Sequence, residues 1–235
     1  MKRNGRMIQQ IRIGDIPTII WGARSDRVYL WVHGKMSRKE KARSFAEIAN
    51  SKGYQVVSFD LPQHGERIHE ADRCDIWNGI RDLTIVAEYV FFEWKDVSLY
   101  ACSLGVYFVL HAYQNLTFKK CLFQSPIVDM EYLIRSMMSW FDVSEERLFR
   151  EKEVNTPIDV LSWDYYQFVK AHPIEKWDNP TMILYGGKDD LPSGEVIHNF
   201  ADQFFCDLLI AENSEHAFGT EADGIIVSEW LNSGI

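Results

Sequence analysis

The segment 97-VSLYACSLGVYFVL-110 joins a strand-like run to an apolar, helix-like run through one polar residue, Ser103. Small residues stand two positions on either side of this serine, Ala101 before it and Gly105 after it. A strand that turns sharply into a helix exposes the residue at the turn and brings those neighbours almost into contact. The pattern predicts such a turn, with a helix N-terminus at Leu104 that favours negative charge beside Ser103. The alternative is an ordinary N-cap role for the serine.

Strand-like and helix-like runs alternate on both sides of this segment. They begin with a predicted hairpin around Gly14-Asp15. The alternation predicts an α/β fold, with a mostly parallel central sheet of about eight strands and helices on both faces. The predicted strands are residues 7–13, 16–21, 28–32, 54–59, 97–101, 119–123, 181–185 and 207–211, and the predicted helices are residues 38–52, 77–94, 104–115, 194–205 and 222–232.

Residues 127–177 interrupt the alternation. This segment is rich in Met, Trp, Phe and Tyr and has a helical pattern. We expect a helical cap inserted after the sixth strand, between the two parts of a core domain, residues 1–126 and 178–235. An insertion at the carboxyl end of a strand lies where open α/β sheets bind ligands. The alternative is that these helices only pack against the core.

Composition restricts the classes of partner. The chain has 235 residues, of which 46% are hydrophobic, and a formal net charge of -9 without a block of like charges. Nucleic acid is not expected as a partner, because phosphate binding needs a basic surface. The basic N-terminus lacks a following apolar region, and no run approaches a membrane span of roughly 20 apolar residues, so we expect a cytoplasmic protein without a membrane partner.

The four cysteines are far apart and form no CxxC pair, which favours reduced, mostly buried thiols. The sequence also has no helical HExxH motif and no glycine-rich phosphate loop. We therefore expect neither a metal nor a cofactor.

Two further polar signals follow predicted strands. Carboxylates follow two glycines in 183-ILYGGKDD-190, and His216 lies in 213-NSEHAF-218. A weak hydroxyl nucleophile such as Ser103 needs a base within hydrogen-bond reach, and the base needs a carboxylate to orient it. Since all three loops follow strands, the three groups should meet at one edge of the sheet. Asp189 and Asp190 are both candidates for the carboxylate.

The motifs 32-VHGK-35, 60-DLPQHGER-67, 101-ACSLG-105 and the GGKD…SEH pair together resemble the α/β-hydrolase fold superfamily. The resemblance covers nearly the whole chain, and the cap position resembles that of small capped esterases and acyl hydrolases. It implies that Ser103 is the nucleophile and His216 the base. It favours Asp189 over Asp190 as the orienting acid, because the usual acid stands three residues after the first glycine, here Gly186.

The resemblance also implies an oxyanion hole made by two backbone N–H groups, those of Leu104 and Lys35, with Met36 as the alternative to Lys35. Gly34 would allow a close approach of the backbone to the substrate. Three residues depart from the superfamily pattern: Ala101, Gln63 and Arg67. We interpret three other reactive side chains near these motifs as structural: His33, His64 and Cys102.

The substrate contacts are predicted in the cap and the loops above the sheet. The candidates are Met36, Met137, Trp140 and Trp163, although aromatic residues of a cap also form its own core. Their apolar character favours a short acyl chain or an aromatic ester over a highly charged substrate.

These observations lead to one main hypothesis, a serine hydrolase that cleaves a small carboxylic ester or thioester through an acyl-enzyme, with a small-molecule acyl substrate as its partner. Other chemistry on the same three residues is the first alternative: a peptidase, an acyltransferase or a carbon–carbon bond hydrolase. A ligand-binding or sensor protein with slow or no turnover is the second.

Overall fold

A computed structural model describes residues 8–235, so the basic N-terminal stretch and Met7, predicted to open the first strand, lie outside the described residues. The described chain forms ten strands and eight α-helices. The strands are β1 (Ile8–Ile13), β2 (Ile16–Trp21), β3 (Arg27–Val32), β4 (Gln55–Phe59), β5 (Asp96–Cys102), β6 (Cys121–Gln124), β7 (Glu153–Asn155), β8 (Val160–Ser162), β9 (Thr181–Gly186) and β10 (Asp207–Ala211). The helices are α1 (Arg43–Ser51), α2 (Ile76–Glu93), α3 (Leu104–Ala112), α4 (Met130–Trp140), α5 (Glu145–Glu151), α6 (Trp163–Ala171), α7 (Gly194–Gln203) and α8 (Glu221–Gly234).

Eight of the strands form one twisted sheet in the order β1-β2-β4-β3-β5-β6-β9-β10. The β1–β2 and β2–β4 pairs are antiparallel, and all the other pairs in this sheet are parallel. The α/β fold class and the eight-stranded sheet are therefore confirmed. Because β3 to β6, β9 and β10 run in the same direction, the loops that follow them meet at one edge of the sheet.

Helices cover both faces of the sheet. On one face, Phe45 of α1 and Trp230 of α8 are buried against sheet residues such as Tyr100. On the other face, α2, α3 and α7 contribute buried residues such as Phe108 and Ile197 to a second hydrophobic core. None of the helices formed by the described residues is both long and apolar enough to cross a membrane.

The helix predicted over residues 38–52 is α-helical only from Arg43 onward, after a 3-10 turn at Lys39–Ala42. The reason lies in the buried carboxylate of Asp60, which accepts hydrogen bonds from both the backbone N–H and the Nζ of Lys39. Burial alone would lower the pKa of Lys39, but Asp60 and two neighbouring glutamates raise it overall, so the amine stays charged.

The segment between β6 and β9 contains α4, α5 and α6, and also a two-stranded antiparallel hairpin that the helical pattern did not predict. Strands β7 and β8 have only three residues each, so they carry little periodic signal. The turn between them is held by Thr156, whose N–H and hydroxyl both donate to the carbonyl of Asp159.

His33 connects the end of β3 to the neighbouring loop after β4. Its Nδ1–H donates to the carbonyl of Gly34 at 2.7 Å, and its Nε2 accepts the N–H of Leu61 at 3.0 Å. The ring is almost fully buried, and burial lowers its pKa from 6.5 to about 4. His33 is therefore a neutral, fully bonded structural residue at neutral pH.

We expect the buried His33 to make the protein less stable in acid. Unfolded chains take up the proton near pH 6.5 and the folded chain only near pH 4, so the free energy of unfolding falls as pH decreases between these values. The expected loss from pH 7 to pH 5 is about 2 kcal/mol. Urea unfolding of wild type and His33→Gln at pH 7 and at pH 5 measures this contribution of His33 to the free energy of unfolding. An equal pH dependence in the two proteins would contradict it.

Helices α2 and α3 approach closely at Gly79. A Cβ atom at Gly79 would lie 2.6 Å from Cδ2 of Phe108, whose ring is fully buried. Gly224 offers the opposite situation, because it lies exposed in α8 with nothing within 4 Å of its Cβ position.

This contrast gives a matched pair of substitutions. We expect Gly79→Ala to lower the free energy of unfolding by about 1–3 kcal/mol through overpacking. Gly224→Ala should raise it by up to about 1 kcal/mol, since alanine has the better helix propensity. Urea denaturation of both variants tests the prediction, and a stabilised Gly79→Ala variant would show that the interhelical contact is looser than described.

Candidate active site

Ser103 lies at a strained turn between β5 and α3. Its backbone has φ 50° and ψ −122°, a conformation that L-residues rarely adopt, and its side chain makes no capping hydrogen bond to α3. A Cβ atom at Gly105 would lie 2.4 Å from the carbonyl oxygen of His33, and one at Gly34 would lie 2.9 Å from Cβ of Ser103. The turn therefore requires glycine at positions 34 and 105. The small position two residues before Ser103 is taken by Ala101, which is fully buried, so alanine is compatible with the turn there.

The structure brings Ser103, His216 and Asp189 together in a hydrogen-bonded series. The Oγ of Ser103 is 2.8 Å from Nε2 of His216, and Nδ1 of His216 is 2.7 Å from Oδ2 of Asp189. A carboxylate only accepts hydrogen bonds, so Nδ1 carries the hydrogen and Nε2 is free to accept the serine proton. This arrangement suits a serine activated by a general base.

The two carboxylates that the sequence left as candidates have different environments. The side chain of Asp189 is fully buried, and its second oxygen accepts the N–H of Leu191 at 3.0 Å. Asp190 is exposed to solvent. Only Asp189 is hydrogen-bonded to His216.

The backbone of the His216 loop is held from beneath by Ser125, which the sequence interpretation did not identify. Ser125 follows β6, is fully buried and donates its hydroxyl to the carbonyl oxygen of His216 at 2.7 Å. On the far side of the loop, the hydroxyl of Ser214 donates to Asp223, the residue that also completes the capping box of α8. Ser125 precedes His216 by 91 residues, so no local pattern could indicate this contact.

Two backbone N–H groups near Ser103 remain without a protein acceptor. Among residues 8–235, neither Lys35 nor Leu104 donates its backbone N–H to a hydrogen bond. The N–H of Met36, the alternative donor, is already bonded to Nε2 of His64 at 3.0 Å. The pair Lys35 and Leu104 thus has the free donors that an oxyanion needs.

The loop after β4 contains His64 and both of its departures from the superfamily pattern. The other ring nitrogen of His64 donates to the carbonyl of Pro62, and burial lowers the pKa of the ring, so His64 is a neutral structural residue. Gln63 accepts the N–H of Cys74, and Arg67 donates to the carbonyl of Asp60. The two departing side chains therefore fix the loop itself.

The four cysteines are free thiols. Cys121 is fully buried, and the other three are only partly buried, in contrast to the expectation of mostly buried thiols. Cys102 packs against the core on the α1 and α8 face, away from the Ser103 side chain, and burial raises its pKa to about 12. At neutral pH Cys102 is a thiol and thus a poor nucleophile.

Two cavities adjoin at this edge of the sheet. The smaller has a volume of about 120 Å³ and the larger about 340 Å³. The smaller cavity is lined by Ser103, Ile127, Met130, Ile134, Met137 and Leu191. The larger is lined by Met36, Gln63, His64, Ile68, Arg73 and Trp77. The wall between them includes Lys35, Cys74, Leu104, Asp159 and Tyr165.

The four predicted substrate contacts are divided by the structure. Met36 and Met137 line the larger and smaller cavity respectively. Trp140 ends α4 and is exposed, and Trp163 packs against Phe149 with ring centroids 5.0 Å apart. Neither tryptophan lines either cavity, because the composition of this segment does not indicate which aromatic side chains face the sheet.

The β7–β8 hairpin lies over both cavities and is attached to the core by two ion pairs. Nζ of Lys35 contacts the carboxylate of Asp159 and donates to the carbonyl of Ile158. Arg73 makes a two-pronged contact with Glu153 at the other end of the hairpin. The side chain of Lys35 therefore connects the hairpin to the turn after β3, in which the backbone N–H of Lys35 itself is free.

Comparison with known proteins gives a result only at the level of structure, since no protein-family profile and no curated protein matches the sequence significantly. Alpha/beta hydrolase domain-containing protein 10 from mouse matches with a TM-score of 0.78 at 15% identity, over 97% of this chain and 97% of that chain. Est1E from Butyrivibrio proteoclasticus, solved with ferulic acid bound, matches with a TM-score of 0.75 at 15% identity, over 96% of each chain.

A monoacylglycerol lipase from Paleococcus ferrophilus matches with a TM-score of 0.64 at 16% identity, over 94% of this chain and 99% of that chain. At this level of identity such likenesses establish the fold alone. Together with the sheet order and the turn at Ser103, they show that this chain has the α/β-hydrolase fold, as its four sequence motifs predicted.

Proposed function

We propose that this protein is a serine hydrolase that cleaves a small carboxylic ester or thioester through an acyl-enzyme. The observation that carries the proposal is the continuous hydrogen-bonded series from Ser103 through His216 to the buried Asp189, built on a strained turn. Backbone strain at a functional site is retained when the surrounding structure enforces it. The name of one similar structure, a monoacylglycerol lipase, agrees with ester chemistry.

In the acylation step, Oγ of Ser103 attacks the carbonyl carbon while its proton passes to Nε2 of His216. The carbonyl oxygen becomes an oxyanion, which accepts hydrogen bonds from the N–H groups of Lys35 and Leu104. Asp189 stabilises the positive charge that forms on the imidazole. The bond to the leaving group then breaks, and His216 gives the proton to the departing oxygen or sulfur.

In the deacylation step, water takes the place of the leaving group. His216 removes a proton from this water as it attacks the acyl carbon, and the same two N–H groups bind the second oxyanion. When the bond to Oγ breaks, His216 returns the proton to Ser103 and the carboxylic acid is released. The hydrogen bond from Ser125 to the carbonyl of His216 keeps the ring in place through both steps.

The nucleophile assignment is tested by a fluorophosphonate probe, which reacts with activated serines. We expect the wild-type protein to be labelled once per chain and Ser103→Ala to remain unlabelled, with p-nitrophenyl acetate hydrolysis falling to background in the variant. Equal labelling of Ser103→Ala, with its thermal unfolding unchanged, would place the reactive serine elsewhere. A folded wild type that neither reacts nor hydrolyses esters would favour the ligand-binding alternative.

The role of the carboxylate is tested by a neighbouring pair of substitutions. Asp189→Asn removes the charge that orients and stabilises the His216 imidazole, so we expect kcat on p-nitrophenyl acetate to fall by about 10³–10⁴. Asp190→Asn changes an exposed side chain one residue later and should leave kcat within about twofold. The assignment is rejected if the two variants lose activity equally, or if Asp190→Asn is the more damaging.

A further inference from the structure

The larger cavity, about 340 Å³, has an unusual rim of exposed apolar side chains. Met36 is 92% exposed, Ile68 is 56% exposed and Trp77 is 46% exposed, and Val160 of the hairpin completes the rim. Apolar side chains left in water at a concave surface mark a place where a ligand covers them. Scattered single apolar residues would need no such explanation, but these four surround one cavity.

The charged side chains that line this cavity already have partners. Lys35 is paired with Asp159, and Arg73 is paired with Glu153. Asp75 caps α2 by accepting the N–H of Asn78. Among the described residues that line the cavity, no cation is left without a carboxylate, so an anionic ligand would have to break an existing pair.

Most uncharged polar groups of the cavity are similarly engaged or weakly polar; the exception is the hydroxyl of Tyr165 in the shared wall, which is buried and has no hydrogen-bond partner among the described residues. Both ring nitrogens of His64 are hydrogen-bonded, and burial raises the pKa of the Cys74 thiol to about 12. Gln63 accepts the backbone N–H of Cys74. Recognition in this cavity therefore comes mainly from apolar contact and shape, with the Tyr165 hydroxyl able to hydrogen-bond a neutral polar atom of the ligand.

Continuity with the nucleophile connects this cavity to the reaction. Leu104 and Lys35, whose N–H groups form the proposed oxyanion hole, line both this cavity and the smaller one that contains Ser103. Trp77 also lines this cavity, and its ring packs against Tyr165 of the shared wall with the ring centroids 5.9 Å apart. An ester held at the hole would extend one substituent into this space.

We infer that the larger cavity is a substrate subsite for an uncharged aromatic or branched apolar group of the ester, with Trp77 as its main determinant of specificity. The inference rests on the proposed function, whose substrate class it narrows. The group can belong to the acyl or to the alcohol part of the ester, because both begin at the same carbonyl carbon.

The test uses two pairs of esters that differ by one phenyl group. Methyl 3-phenylpropanoate and methyl propanoate vary the acyl part, and 2-phenylethyl acetate and ethyl acetate vary the alcohol part. We expect wild-type kcat/KM to favour the phenyl ester at least about tenfold in one of the pairs, the effect of burying a large apolar group. That pair identifies which part of the ester occupies the subsite.

Two tryptophans provide a matched comparison, since Trp77 and Trp140 have nearly equal exposure, 46% and 45%, and only Trp77 lines the cavity. Trp77→Ala should reduce the phenyl preference at least about fivefold, and Trp77→Phe should restore most of it. Trp140→Ala should leave the preference unchanged. A carboxylate on the phenyl ring should lower kcat/KM at least tenfold, because it finds no free cation.

Binding of methyl 3-phenylpropanoate and of 2-phenylethyl acetate to Ser103→Ala, measured by calorimetry, separates this inference from the proposed function. Binding that is weakened by Trp77→Ala supports the subsite even if wild type hydrolyses no ester, and the hydrolase proposal alone would then fail. Ester hydrolysis without a phenyl preference in either pair overturns the subsite and leaves the hydrolase standing. The subsite is also overturned if Trp77→Ala and Trp140→Ala change the phenyl preference equally, or if the wild type prefers the ester whose phenyl ring carries a carboxylate.

Discussion

The approach of two backbone segments at Ser103 is the constraint on which the rest of the site depends. The carbonyl oxygen of His33 lies only 2.4 Å from the position that a Cβ atom of residue 105 would take, and Gly34 lies against the Ser103 side chain. This contact places the turn after β3 beside the N-terminus of α3. As a result, the free N–H groups of Lys35 and Leu104 belong to adjacent pieces of backbone, and the strain at Ser103 is maintained by buried strands on both sides.

Buried polar contacts extend this constraint into the neighbouring loop. Asp60 binds Lys39 and the N–H of Glu66, which fixes the loop after β4, and that loop presents His64 to the N–H of Met36. A buried ion pair is weak evidence for stability, because desolvation offsets much of its attraction. Here the contacts matter for geometry, because they leave the backbone N–H of Met36 hydrogen-bonded to His64 and the backbone N–H of Lys35 free.

Much of this arrangement could be predicted from sequence because its causes are local. The strand at residues 207–211 and the turn at Ser103 follow from short patterns, whereas the preference for Asp189 over Asp190 came from the resemblance to the superfamily. Contacts between distant segments left no such pattern. The hydroxyl of Ser125 donates to a loop 91 residues later in the chain. The β7–β8 hairpin was missed for a different reason, because each of its strands has only three residues.

Lys35 connects the β7–β8 hairpin above the cavities to the proposed oxyanion hole. The residue offers its N–H to the proposed oxyanion and its amine to Asp159 on the hairpin, so a movement of the hairpin acts on the hole through one side chain. Both ion pairs that attach the hairpin are partly exposed, and exposed pairs contribute little because water solvates the separated charges well. A substrate in the larger cavity would add apolar contact with Val160 to these two pairs. A substrate that fills the larger cavity would stabilise the hairpin in the position that also holds Lys35, which makes substrate binding and the geometry of the oxyanion hole interdependent.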